Sequence, residues 1–203
     1  MQTRYRILAV DDNPDTLELI SLTLNEWYDV LLLTNPLNIY DLIELFEPDL
    51  LILDIMMPKI TGFQLIELLR KNPRSREIPI VILSAKDNVR EIKYGYKLGA
   101  SLYLTKPFEP ERLIKNIETQ FRIHPPPPRP KNLTLNQVQL QMEMKYGFQS
   151  GQMVISSHLL TTDNIKRSGA GQTGEETSGE EKRSEASPKG RAEAPGDRLH
   201  WKD

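Results

Sequence analysis

Three carboxylates, a hydroxyl and an ammonium stand at or just past the ends of apolar runs in this chain. Asp11 and Asp12 follow "YRILAV" (5–10), Asp54 follows "LLIL" (50–53), Ser84 follows "IPIVIL" (78–83), and Lys106 lies two residues past "SLYL" (101–104). One Asp after an apolar run is ordinary turn chemistry, and Asp11 before Asn13 and Pro14 also reads as a helix cap. Recurrence at several run ends points further, because open parallel sheets bind ligands beyond the carboxyl ends of their strands. Two carboxylates about 4 Å apart repel by roughly 4 kcal/mol at an effective dielectric near 20, so three together call for a cation. Oxygen ligands with neither His nor Cys among them suit Mg²⁺ or a similar hard ion that keeps waters for an incoming phosphate. Ser84 offers a hydroxyl donor, and Lys106 a fixed positive charge for phosphoryl oxygens. The set suits transfer of a phosphoryl group to a carboxylate.

These groups meet only if the runs are neighbouring strands. "YRILAV", "DVLLL" (29–33), "LLIL", "IPIVIL" and "SLYL" have the continuous apolar character of strands covered on both faces. Helix-length segments lie between them. "PDTLELISLTLNEW" (14–27) carries Pro14 at a first helical position and Leu17, Ile20 and Leu24 at helical spacing, and "NPLNIYDLIELF" (35–46) opens on an Asn cap. "GFQLIELLRK" (62–71), "NVREIKYGYKLG" (88–99) and "PERLIKNIETQF" (110–121) follow, the fourth helix closing on Gly99. Five strand–helix units predict a parallel sheet with helices on both faces. With the first strand central and the third beside it, Asp11, Asp12 and Asp54 share one edge.

Composition narrows the alternatives. The chain has 203 residues, a net charge of −2 and no cysteine. Disulfides, thiol catalysis and thiolate metal sites are excluded, and the charge gives no reason to expect nucleic acid. "MQTRYRILAVDDN" reads as neither a signal peptide nor an anchor, and no stretch reaches the ~20 apolar residues of a membrane span, so a cytoplasmic protein is expected.

The stretches "VDDNPDTLELI", "LLILDIMMPKITGF", "VILSAKD" and "GASLYLTKPF" resemble the receiver domain of two-component response regulators over about 120 of the 203 residues. The resemblance implies a flavodoxin-like, doubly wound (βα)5 fold with a five-stranded parallel sheet. Chemotaxis receivers are a standing example of strand order 2-1-3-4-5, so that order comes with the resemblance. It further implies that Asp54 accepts a phosphoryl group from a sensor histidine kinase or phosphotransfer protein. Asp11, Asp12, Asp54 and the backbone carbonyl of Met56 would hold Mg²⁺. Ser84 and Lys106 would bind phosphoryl oxygens, and Ser84 and Tyr103 would form the switch. Pro107 matches the family's cis proline, which aims the lysine inward. Such a protein is a signalling switch with its own acceptor and dephosphorylation chemistry, not an enzyme acting on a separate substrate. Ser101 stands where the family commonly has an acid, which weakens any expectation of the salt-bridged dimer face of some DNA-binding regulators. A dehalogenase-like phosphohydrolase would need a second Asp two residues after the nucleophile, where Met56 stands.

Four segments are expected: a self-sufficient receiver at 1–124, a proline-rich linker at 125–131 carrying "PPPPRP", a candidate β-hairpin at 132–165, and a disordered tail at 166–203. Within the third, "VQLQMEMKYGF" (138–148) alternates apolar and polar at nearly every position, a strand pattern, and "MVIS" (153–156) is its expected partner. The favoured reading is a switch that signals through protein contacts, without nucleic acid or membrane. The alternative is a transcriptional or dimerising regulator acting through its C-terminal segment.

Overall fold

The computed structural model describes residues 4–126, 133–146 and 153–156. Five parallel strands run through it: β1 (Arg6–Val10), β2 (Asp29–Leu33), β3 (Leu50–Asp54), β4 (Ile80–Ser84) and β5 (Leu102–Thr105). The helices between and after them are α1 (Pro14–Leu24), α2 (Ile39–Phe46), α3 (Gly62–Lys71), α4 (Val89–Lys97) and α5 (Pro110–Ile123). Two further elements follow, α6 (Leu135–Tyr146) and β6 (Met153–Ser156). The sheet order is β5-β4-β3-β1-β2-β6, with β6 antiparallel to β2 and the rest parallel. The fold is the expected flavodoxin-like one, with β6 added at one edge.

Alternate strand residues feed two cores, as the pleat requires. Leu8, Val10, Leu31, Leu33, Leu51 and Leu53 pack with α2 and α3, while Ile7, Ala9, Val30, Leu32, Leu50 and Ile52 pack with α1 and α5. Both faces are covered, which is why the strands read as unbroken apolar runs.

Local signals set the helix ends. Asn13 caps α1, its side chain accepting from the amides of Asp15 and Thr16, so helix capping does not fall to Asp11. The segment expected as one helix from Asn35 starts as a 3₁₀ turn over Pro36–Asn38 and becomes α2 at Ile39. Thr61 and Gln64 form a capping box at the start of α3. Asn88 caps α4, and Gly99 ends the following turn at φ +97°, a left-handed backbone suited to glycine. Among the residues of α4 only Gly95 is buried, so this helix is seated on the sheet by fewer side chains than the others.

The C-terminal expectation needs correction. Residues 135–146 form a helix, not a strand, so "VQLQMEMKYGF" does not pair with "MVIS" as a hairpin; β6 pairs with β2 instead. A local signal for the helix lies just upstream, where Thr134 and Gln137 cap each other: the Gln137 amide donates to Thr134 Oγ1 and the Thr134 amide to Gln137 Oε1. On a helix, residues two apart lie about 200° apart, so a period of two becomes two opposite stripes. Val138 and Met142 face inward and join the core beside α2 and α3, while Leu140 and Met144 face out. The core thus extends past residue 124, where the receiver was expected to end. Of the linker only residues 125 and 126 are described, and the tail at 166–203 lies outside the described residues. No helix among the described residues is long and apolar enough to cross a membrane.

Candidate functional site

The carboxyl ends of β1, β3, β4 and β5 meet at one edge of the sheet. Asp11 continues the line of β1, its amide donating to Leu33 O of β2 at 3.1 Å. Asp54 is the last residue of β3. Both are buried, Asp12 is exposed, and one carboxylate oxygen from each of the three lies within 4.8 Å of the others. The distances and the oxygen-only donor set fit a hard divalent ion.

Lys106 comes in from the far side. Its amide donates to Ser84 O at 2.8 Å, extending the β4–β5 ladder, and the peptide to Pro107 is cis, as expected. Its ammonium lies 2.5 Å from Asp11 Oδ2 and 3.0 Å from Asp54 Oδ1. Burial by itself lowers the lysine pKa, but the bonds to Asp11 and Asp54 outweigh it and the pKa stands above its ordinary value. Burial raises the Asp11 pKa, against the pull of Lys106 and of the Asn13 amide that donates to Asp11 Oδ1. The ammonium thus neutralises part of a buried acidic pair.

Asp54 is oriented from both sides. Oδ2 accepts the Met56 amide at 2.7 Å, and Oδ1 faces Lys106. The Met56 peptide is therefore part of the site, while its side chain is exposed. Gly62, in the sequence only the first residue of "GFQLIELLRK", holds this loop close: a Cβ there would lie 2.1 Å from Asp54 O and 2.8 Å from Ile55 Cα. The Gly62 amide also donates to Ile55 O at 3.1 Å. Only a residue without a side chain lets α3 start against the loop that follows Asp54.

Ser84 and Tyr103 are both buried, and besides the direct contact of their hydroxyls they are joined through a third residue. Ser84 Oγ accepts the Lys86 amide at 3.2 Å, and the Tyr103 hydroxyl donates to Lys86 O at 2.8 Å. Burial raises the phenol pKa, with a partly opposing hydrogen bond from Ser84. The Lys86 ammonium pairs with Glu91 in the first turn of α4, and Asn88 donates to the same carboxylate. Neither Lys86 nor Glu91 was marked by strand-end position, the signal that found the other groups; their role follows from the turn between β4 and α4. The Tyr103 ring lies over Gly95, where a Cβ would approach its Cδ2 to 3.2 Å. Ser101, in place of the family's usual acid, uses its hydroxyl to accept the Ile80 amide at 3.3 Å.

The family described as "Response regulator receiver domain" matches residues 7–118. Among curated relatives, the DNA-binding dual master transcriptional regulator RpaA of Synechocystis sp. is 35% identical over 118 residues, 58% of this chain and 49% of that protein. The DNA-binding response regulator MtrA of Mycolicibacterium smegmatis is 32% identical over 120 residues, 59% of this chain and 51% of that protein. The chain spans about half the length of these curated relatives. The solved structure of the chemotaxis response regulator CheY4 of Vibrio cholerae superposes with a TM-score of 0.54 at 29% identity, covering 58% of this chain and 98% of that one. A response regulator from Desulfuromonas acetoxidans gives a TM-score of 0.54 at 28% identity, covering 59% and 98%.

Proposed function

The chain belongs to the response regulator receiver family over residues 7–118, and on that premise we propose that it is a phosphorylation-activated switch of a two-component relay with Asp54 as acceptor. The observation that carries this reading is the buried Asp11–Lys106–Asp54 bridge, with the second Asp54 oxygen held by the Met56 amide. The donor is a phosphohistidine on a sensor histidine kinase or phosphotransfer protein. An Asp54 carboxylate oxygen attacks phosphorus, the P–N bond breaks, and the imidazole, protonated on its other nitrogen, leaves neutral. Lys106 shifts from balancing two carboxylates to holding a phosphoryl oxygen, and the Ser84 hydroxyl donates to another. Asp11, Asp12, Asp54 and the Met56 carbonyl would hold Mg²⁺. When bound, that ion neutralises the charge gathering on the phosphoryl oxygens.

The output follows from what Ser84 leaves behind. Once its hydroxyl turns to the phosphoryl group, the Lys86 amide loses its acceptor, and the loop that Tyr103 grips from the other side is free to move. Only a group that bonds differently in the two arrangements can shift their populations, and Ser84 is such a group. The moving part is the start of α4, the helix with the fewest buried side chains. The protein acts in the cytoplasm and signals through contacts at this face.

A second reading, direct regulation of DNA, is favoured by the names of RpaA and MtrA. A DNA affinity that falls steeply with salt would support it. The primary test is labelling by acetyl phosphate. With Mg²⁺ the chain takes up one base-labile phosphoryl group, and Asp54→Asn takes up none. Equal labelling of Asp54→Asn, or labelling undiminished by EDTA, overturns the assignment.

A further inference from the structure

Arg6 is the first residue of the central strand β1, and it is almost fully buried. Its Nη1 donates to Phe46 O at 2.8 Å, at the last turn of α2, and its guanidinium lies 5.3 Å from the centre of the Phe46 ring. Its Nη2 donates to Leu133 O at 2.5 Å, across 127 positions of sequence. Nε has no partner among the described residues. While α6 covers it, a guanidinium already one acceptor short depends on the Leu133 carbonyl, and water can replace that carbonyl only when the segment leaves.

From Leu133 the chain enters α6, which lies along α2. Val138 and Met142 are fully buried there, and Leu133 and Leu135 pack against the same cluster. At the far end the Lys145 ammonium lies 3.0 Å from Asp41 Oδ2. The contact therefore has a polar anchor at one end, two apolar side chains one helical turn apart, and an ion pair at the other end.

A single helix of 12 residues is marginal in water by itself. The capping box at Thr134 and Gln137 starts α6, but burial of Val138 and Met142 has to sustain it. Helix and contact therefore form together or not at all.

We propose that the β1–α2 corner of this receiver is a binding surface for a short amphipathic helix, that its occupant is the chain's own segment 133–146, and that Arg6 is the residue that reads it. The segment folds on docking and unfolds on release, so it behaves as a tethered ligand. Docked, it closes the α2 side of the domain to other partners; released, it opens that side, while β6 keeps its own pairing with β2.

Hydrogen exchange on the full chain tests this. Amides of 135–146 are expected to be protected in the wild type, to the same extent at all protein concentrations. Val138→Asp places a charge in the buried stripe and should cut that protection by about tenfold or more, while α3 and α5 keep theirs. Arg6→Lys, which keeps the charge but cannot fork to Phe46 and Leu133 together, should release the first turn of α6 before the last. Wild-type amides at 135–146 that exchange like an unstructured peptide overturn the proposal. So does protection that survives Val138→Asp. Protection that rises with concentration would assign the surface to a second copy and overturn occupation by the chain's own helix.

Discussion

Replacing Gly62 by alanine adds one methyl group, and where that group lands decides its cost. The new Cβ falls 2.1 Å from the carbonyl oxygen of Asp54, against an ordinary contact of 3.4 Å or more, so about 1.3 Å has to be found. The atom it meets is backbone, flanked by Ile55 Cα at 2.8 Å, and cannot swing aside. Either α3 backs away from the sheet or the 54–56 loop is pushed toward the site. In both cases the Gly62 amide loses Ile55 O, and the Met56 amide is drawn off Asp54 Oδ2. Overpacking costs about 1–3 kcal/mol, and two hydrogen bonds add about 0.5–1.5 kcal/mol each. A total of roughly 2–6 kcal/mol is a large part of the stability of a small domain. Denaturant unfolding should show it as a lower midpoint with an unchanged slope. Under folding conditions, misplacing the acceptor by about 1 Å should slow acetyl phosphate labelling by up to ~100-fold. A Gly62→Ala chain within about 0.5 kcal/mol of wild type, labelled at the same rate, would refute the claim that close backbone approach positions Asp54.

Gly95→Ala is the contrasting case. Its Cβ would meet Ile82 Cδ1 at 2.8 Å and the Tyr103 ring at 3.2 Å, both movable side-chain atoms, so the stability loss should stay below about 1.5 kcal/mol. The displaced ring should nevertheless change the Tyr103 signals in an NMR spectrum, and an unchanged ring environment would count against Gly95 as its seat. Met56 stands two residues after Asp54, and its exposed thioether side chain is a poor partner for a water attacking the proposed acyl phosphate. Met56→Asn should therefore lose its phosphoryl group about 3–10-fold faster, or ~0.7–1.4 kcal/mol of barrier, as followed by decay of the labelled protein. Decay at the wild-type rate or slower would shift attention to Lys86. Ser84→Ala should still accept phosphate but show smaller chemical-shift changes in α4 and β5 on binding beryllofluoride. Wild-type changes in that variant would remove the hydroxyl from the switch.

The sequence by itself determined the five-stranded parallel sheet and marked the side chains gathered at its edge. Strands buried on both faces must be continuously apolar, so a charged or hydroxyl residue at the end of such a run is visible against it. Asp11, Asp54, Ser84 and Lys106 were found in that way, and parallel topology required their ends to converge. What the sequence left open was whatever depends on distance between backbones. Gly62 is an ordinary turn residue until α3 is seen to start against Asp54 O. Gly95 is an unremarkable helix interior until the Tyr103 ring is seen beside it. Lys86 joins Ser84 to Tyr103 through its peptide groups, which every residue has and no pattern marks. The pattern of 138–148 has the period of a strand although its described part is helical, because two opposite apolar stripes on a helix imitate the alternation of a strand. The capping box at Thr134–Gln137 was a local clue against that reading, yet the decision belongs to the tertiary structure. A helix this short persists because Arg6, Phe46 and the α2 face supply an anchor and an apolar bed from more than 80 residues away, beyond the reach of any local window.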